Sequence, residues 1–145
     1  MHSKINRATA LFGNGFNCAQ SVVGVFCEQY NVDAETALKI SSGMGGGFRC
    51  GEICGAVSGA VLVIGLKYGR YLAEDSTSKE ICNGKVVEFT RLFKEQNQSL
   101  VCREILHADL STEEGFAQAK SQNLFKTTCV NMIKSAVTLL EELGY

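Results

Sequence analysis

The sequence has no proline, no tryptophan, only two histidines in 145 residues, and no excess of either charge. Without proline, nothing in the chain enforces a helix break, so long uninterrupted helices are permitted. A net charge of −1 offers no basic surface, which excludes nucleic acid and acidic lipid as partners. Long hydrophobic runs are also missing. The longest nearly apolar stretch, Ile53–Leu66, has fourteen residues and is interrupted by Ser58. Crossing a bilayer takes about 17–25. The stretch therefore reads as a buried helix, and the chain is not expected to be an integral membrane protein. No apolar signal core follows Lys4 and Arg7, so the expected location is cytoplasmic, where thiols stay reduced.

Several motifs are absent as well. There is no CxxC of the thioredoxin kind, no paired CxxC of the zinc kind, and no GxxxxGK[ST] or complete GxGxxG unit. Nucleotide binding is thereby disfavoured, and the glycine-rich run Gly43–Gly47 reads as a bend before a helix. Its amides can still hold an anion or approach a cofactor. The histidines are His2 and His107. A cysteine–histidine hydrolase needs a base and an orienting acid, and nothing here selects them. His107 follows Cys102 by five residues and can join it as a ligand, although a solvated turn histidine is the plainer reading.

What is present is an ordinary globular balance, 46% hydrophobic and 20% charged, over a length that suits a single domain spanning residues 1–145. Apolar spacing is helical nearly throughout. Asn17 suits the cap of a helix ending near Tyr30, and Asp33 that of a helix over 34–42. A long buried helix is expected from about Arg49 to Tyr68, closed by Gly69. Helices over 78–97 and 127–143 flank a short turn at 101–106. A further helix opens at the capping-box pair Ser111 and Glu114 and runs towards Asn123. The expected fold is all-α, a compact bundle of six or seven helices around a buried glycine- and cysteine-rich central helix.

The conspicuous residue is cysteine, with seven copies at an odd count that cannot pair fully within one chain. On the expected central helix, Cys50, Cys54 and Ser58 share one face, and Gly51, Gly55 and Gly59 form a stripe beside it. The stripe suits close helix packing, and it also suits clearing space around a thiolate or cofactor, which makes Gly55 and Gly59 candidate cofactor-binding positions. Cys50 and Cys54 can chelate a metal from one face if other ligands join them. Cys18, Cys50, Cys102 and Cys129 each fall at an expected helix start. A helix N-terminus lowers a thiol pKa, so stabilised thiolates are expected there. Arg49 and Arg103, each beside a cysteine, can assist. Cys27 and Cys82 fall within helices and read as buried fillers.

Cys54-Gly55-Ala56-Val57-Ser58-Gly59 is a CGAxxG motif, preceded by the glycine-rich loop and followed by Gly65-Leu66-Lys67-Tyr68-Gly69. With Asn17-Cys18-Ala19-Gln20 upstream, and with Cys102-Arg103-Glu104-Ile105-Leu106 and Cys129 downstream, essentially the whole chain resembles the redox-active family labelled C_GCAxxG_C_C. The resemblance implies a small protein with four hallmark cysteines, here Cys18, Cys54, Cys102 and Cys129, as the catalytic candidates. It also implies redox or metal handling linked to transport, with a redox partner or transport-system component as the partner.

Cys27, Cys50 and Cys82 fall outside that set, and Cys50 stays ambiguous because of its spacing to Cys54. Four thiolates suit a tetrahedral zinc, an iron–sulfur cluster or two exchangeable disulfides, so Cys50, Cys54, Cys102 and Cys129 are also candidate metal ligands. Two functions stand side by side: thiol-based exchange or electron transfer, and a non-catalytic metal or iron–sulfur carrier or sensor. A helical subunit with buried thiols, dimerising through apolar faces, is the plain alternative.

Overall fold

A computed structural model describes residues 3–145, leaving His2 outside the described residues. Eight helices follow one another among them: α1 (Lys4–Gly13), α2 (Cys18–Gly24), α3 (Ala34–Ser41), α4 (Gly55–Tyr68), α5 (Ser76–Asn97), α6 (Cys102–Leu106), α7 (Glu113–Ser121) and α8 (Thr128–Glu142). The class is all-α as expected, with eight helices in place of six or seven. The additional one is α1. Ser3 caps it by accepting from the Asn6 amide, and it buries Ala8. Its apolar positions Ile5, Ala8, Leu11 and Phe12 follow a helical spacing and pack on the core, a stripe missing from the expected elements. None of the described helices is long and apolar enough to cross a membrane.

Local chemistry sets the helix starts. Asn17 and Gln20 form a reciprocal capping box at α2, and Asp33 and Asp75 cap α3 and α5 through their carboxylates. The helix expected to reach Tyr30 ends at Gly24, and a short 3₁₀ turn over Cys27–Tyr30 completes the segment. At α7 the cap is Thr112, not Ser111. Asp109 explains the shift, because its Oδ1 accepts from both the Ser111 amide and the Ser111 hydroxyl, leaving the Thr112 hydroxyl to receive the Gly115 amide.

The largest departure lies before α4. The central helix starts at Gly55, not near Arg49. Gly46, Gly47, Phe48 and Arg49 all have φ near +60°, one turn of left-handed backbone. Left-handed conformation costs about 1–2 kcal/mol for each non-glycine residue, and it cannot continue into a right-handed helix. Cys50 and Gly51 therefore lie in a turn, and the face expected to join Cys50, Cys54 and Ser58 does not form. The stripe likewise reduces to Gly55 and Gly59.

The main core gathers α2, α4, α5 and α8 around Val22, Phe26, Ile64, Phe89, Phe93 and Ile133, all fully buried. In α8 the expected inward residues Cys129, Ile133, Ala136, Val137 and Leu140 are all buried. A second, smaller cluster unites Cys102, Leu106, Ala108, Ala119 and Cys129. Cys54 belongs to the first cluster, Cys102 and Cys129 to the second, and Cys18 packs against both. The hallmark cysteines therefore stand along the seam between the two cores.

Candidate functional site

Two local devices bring the cysteines to this seam. The first is an isolated antiparallel bridge between Ile53 and Val101, the one extended pairing among the described residues. The Cys54 amide donates to the Leu100 carbonyl at 2.8 Å, and the Cys102 amide to the Glu52 carbonyl at 2.5 Å. This clip joins the starts of α4 and α6, with Cys54 as the cap residue of α4 and Cys102 as the first residue of α6. Arg103 braces it from outside, donating to Glu52 Oε1 at 2.6 Å and to the Gly51 carbonyl at 3.1 Å. The arginine considered as an aid to a thiolate is thus committed to the clip.

The second device is the crossing of α2 over α4. A Cβ on Gly55 would sit 3.0 Å from Cys18 Cβ, and one on Gly59 would sit 2.7 Å from the Ala19 carbonyl oxygen. Only glycine lets the α2 backbone lie this close. The CGAxxG motif therefore has a mechanical meaning: Cys54 caps the helix, and the two glycines seat α2 so that Cys18 comes beside it. The space next to Gly59, considered for a cofactor, is filled by α2, whereas Gly55 also lines the cavity formed here.

That cavity has a volume of about 140 Å³. Cys18, Cys54, Cys102 and Cys129 all line it. Phe12, Phe116, Phe125 and Met132 supply apolar wall, and Arg49, which is exposed, contributes at the rim. Each cysteine comes from a different helix, and each stands at or within two residues of that helix's N-terminal end. Cys54 takes the place among the helix starts that was expected of Cys50.

The expectation of four stabilised thiolates does not hold, because burial outweighs the helix ends. Burial pushes the Cys54 thiol up to about 11. Burial also raises Cys102, to about 12, with the neighbouring Cys54 and Cys129 adding to the effect. The remaining two act on one another. Hydrogen bonding from the Cys18 thiol holds Cys129 below the ordinary cysteine value, and the same interaction, followed by burial, drives Cys18 well above it. The pair therefore shares its protons unequally: Cys129 ionises and Cys18 keeps the proton. Of the four, Cys129 alone is shifted towards the thiolate.

Cys50 lies outside the cavity. It is exposed, and its thiol turns to the Gly47 and Phe48 carbonyls at 3.4 and 3.3 Å. The metal set that joined Cys50 to Cys54, Cys102 and Cys129 is not assembled, since the left-handed turn removes Cys50 from the α4 face. Among the described residues no three histidine, cysteine, aspartate or glutamate side chains form a group that could hold a metal ion. All seven cysteines are free thiols. Cys27 is buried, its thiol directed at the Gly24 carbonyl, and Cys82 is half-buried on α5. His107 is the exposed C-cap of α6, in left-handed conformation, and does not line the cysteine cavity. The aromatic wall is a feature the sequence pattern left unassigned. Phe116 gives the available signal, an aromatic at 42% exposure on the otherwise polar helix α7.

No curated protein and no solved structure matches this chain. The family described as "Putative redox-active protein (C_GCAxxG_C_C)" matches residues 16–143, a span that includes all seven cysteines. With that span matched and the four hallmark cysteines in place, the chain belongs to the C_GCAxxG_C_C family.

Proposed function

We propose that the protein is a dithiol–disulfide exchange protein whose working pair is Cys18 and Cys129, with Cys54 and Cys102 as a second dithiol. The observation that carries this reading is the convergence of four cysteines, from four helices, on one apolar cavity. The Cys129 thiolate attacks one sulfur of an incoming disulfide, whose S–S bond breaks and whose other sulfur leaves as a thiolate. Cys18 then gives up its proton to that leaving thiolate and attacks the Cys129 sulfur, releasing the second substrate half. The protein gains one disulfide by losing two electrons and the Cys18 proton, and the substrate leaves as one thiol and one thiolate, which takes its proton from water. The partner required is another thiol–disulfide couple, which a transport-system component would have to carry to act in that role.

The test is equilibration of anaerobically purified protein in glutathione buffers of graded potential, followed by mapping of disulfide-linked peptides. The expected result is loss of two thiols with a Cys18–Cys129 crosslink, reversed by dithiothreitol. If all four thiols stay reduced across the series, or if metal analysis finds a stoichiometric thiolate-bound ion, the exchange reading fails. The second of those outcomes would favour the carrier.

A further inference from the structure

The exchange reading leaves open what kind of disulfide enters the site, and the rim of the cavity bears on it. Arg49 has no ion pair with any described residue. Its backbone is left-handed, at φ 61°, as the last member of the turn that begins at Gly46. A non-glycine side chain held in such a conformation marks a place where the surroundings dictate its direction. Here the guanidinium folds back over Gly46, whose missing Cβ would lie 3.5 Å from Arg49 Nη1. Arg49, Leu110 and Phe116 line both the cysteine cavity and an open groove that continues from it along α7. The groove's other charged residues, Glu113 and Lys120, offset one another. Arg49 is therefore the surplus positive charge at the entrance.

We infer that the site takes a small disulfide with one apolar half about the size of a benzene ring, bearing a carboxylate that Arg49 anchors at the rim. This inference rests on the exchange reading. The dimensions support it, since the cavity is about 140 Å³ and apolar cavities of about 150 Å³ accept benzene. The walls of Phe12, Phe116, Phe125 and Met132 supply matching aromatic and thioether surface. Arginine provides the planar fork that fits a carboxylate, although at the exposed rim the contact is partly screened by water. Cys129 then bonds to the sulfur of the seated half, and the electron pair of the broken S–S bond leaves with the other half into the groove.

Two aromatic disulfides, each with one ring per half, separate the contributions. One is 5,5′-dithiobis(2-nitrobenzoate), which carries carboxylates, and the other is 4,4′-dithiodipyridine, which is neutral. Their reactions with full-length reduced protein carrying Cys50→Ser, which removes the exposed thiol beside Arg49, are followed by absorbance. Arg49→Gln should slow the carboxylated probe by about three- to fivefold, the loss of one solvent-screened charged contact, and should leave the neutral probe within about 1.5-fold. Arg49→Lys should recover part of that rate. Lys39→Gln, the same charge change on α3, should alter neither rate. Equal slowing of both probes by Arg49→Gln would place the arginine's effect on the thiolate or the turn and overturn the inference, as would no slowing at all. A Cys50→Ser protein that reacts with both probes no faster than Cys50→Ser/Cys129→Ala would overturn the exchange reading, and this inference with it.

Discussion

At the scale of single residues, the site depends on four chemically identical side chains made unequal by their surroundings. Cys129 is held low by the Cys18 thiol beside it, whereas burial raises Cys54 to about 11 and Cys102 to about 12. The thiolate alone is alkylated, so the pH midpoint of alkylation reads each pKa independently of how accessible the sulfur is. Iodoacetamide labelling resolved by peptide mass should therefore give Cys129 a midpoint below that of a free thiol, about 8.5. Cys54 and Cys102 should remain unlabelled until well above pH 9. Cys18→Ala removes the donor and leaves only the burial effect on Cys129, whose midpoint should rise. A midpoint that stays put in Cys18→Ala would show that something other than Cys18 stabilises the thiolate.

At the scale of elements, the glycines at helical positions are not equivalent. On Gly59 a Cβ would meet the backbone of α2, with the Ala19 carbonyl oxygen at 2.7 Å, and backbone cannot yield as a flexible side chain can. On Gly84, in the middle of α5, a Cβ would meet nothing within 4 Å. Alanine is the better helix former by about 0.8–1 kcal/mol at either position. Gly84→Ala should therefore stabilise the protein by about that amount. Gly59→Ala should destabilise it by about 1–2 kcal/mol net, once overpacking is set against propensity. Urea denaturation of the two variants checks the opposite signs, and a shared sign would refute the account of the crossing.

The same contrast shows what was legible beforehand. Caps such as Asn17 and Asp33 act within a few residues, so sequence displays them directly, and the inward stripe of α8 follows from helical period alone. The helical spacing of Cys50, Cys54 and Ser58 misled because period is silent about handedness. Gly46 and Gly47 take left-handed backbone and carry Phe48 and Arg49 with them. The Ile53–Val101 bridge joins segments some fifty residues apart, and no local pattern announces such a contact. For that reason the identity of the four cysteines was readable in the chain, but the device that sets Cys54 beside Cys102 was not.

At the scale of the whole molecule, placing protonated thiols on the seam between two cores ties stability to pH. An acid whose folded pKa lies above its unfolded value favours the folded state while it is protonated in both. That advantage is lost as pH rises through the folded value. Cys54 and Cys102, raised from 9.0 to about 11 and about 12, both carry this sign, as does Cys18. Tyr145, buried with its hydroxyl unpartnered, is raised by burial and adds to it. Cys129 is lowered and acts oppositely, its contribution present above the unfolded value and lost as pH falls through the folded one. The reduced protein should gain some stability as pH rises towards about 8.5, the Cys129 contribution, and lose stability steeply from about pH 9 to 11. In that window each raised thiol contributes a slope of about 1.4 kcal/mol per pH unit. Cys54→Ala/Cys102→Ala should flatten the slope by about two such increments, whatever its effect on stability at neutral pH. Forming the Cys18–Cys129 disulfide should remove the Cys18 increment without any substitution, because a disulfide has no proton to lose, while Cys54 and Cys102 keep theirs. If the protein cycles between dithiol and disulfide as proposed, its alkaline slope should fall by about one such increment in the oxidised form and return on reduction, and an oxidised protein with an unchanged alkaline slope would exclude Cys18 from the disulfide.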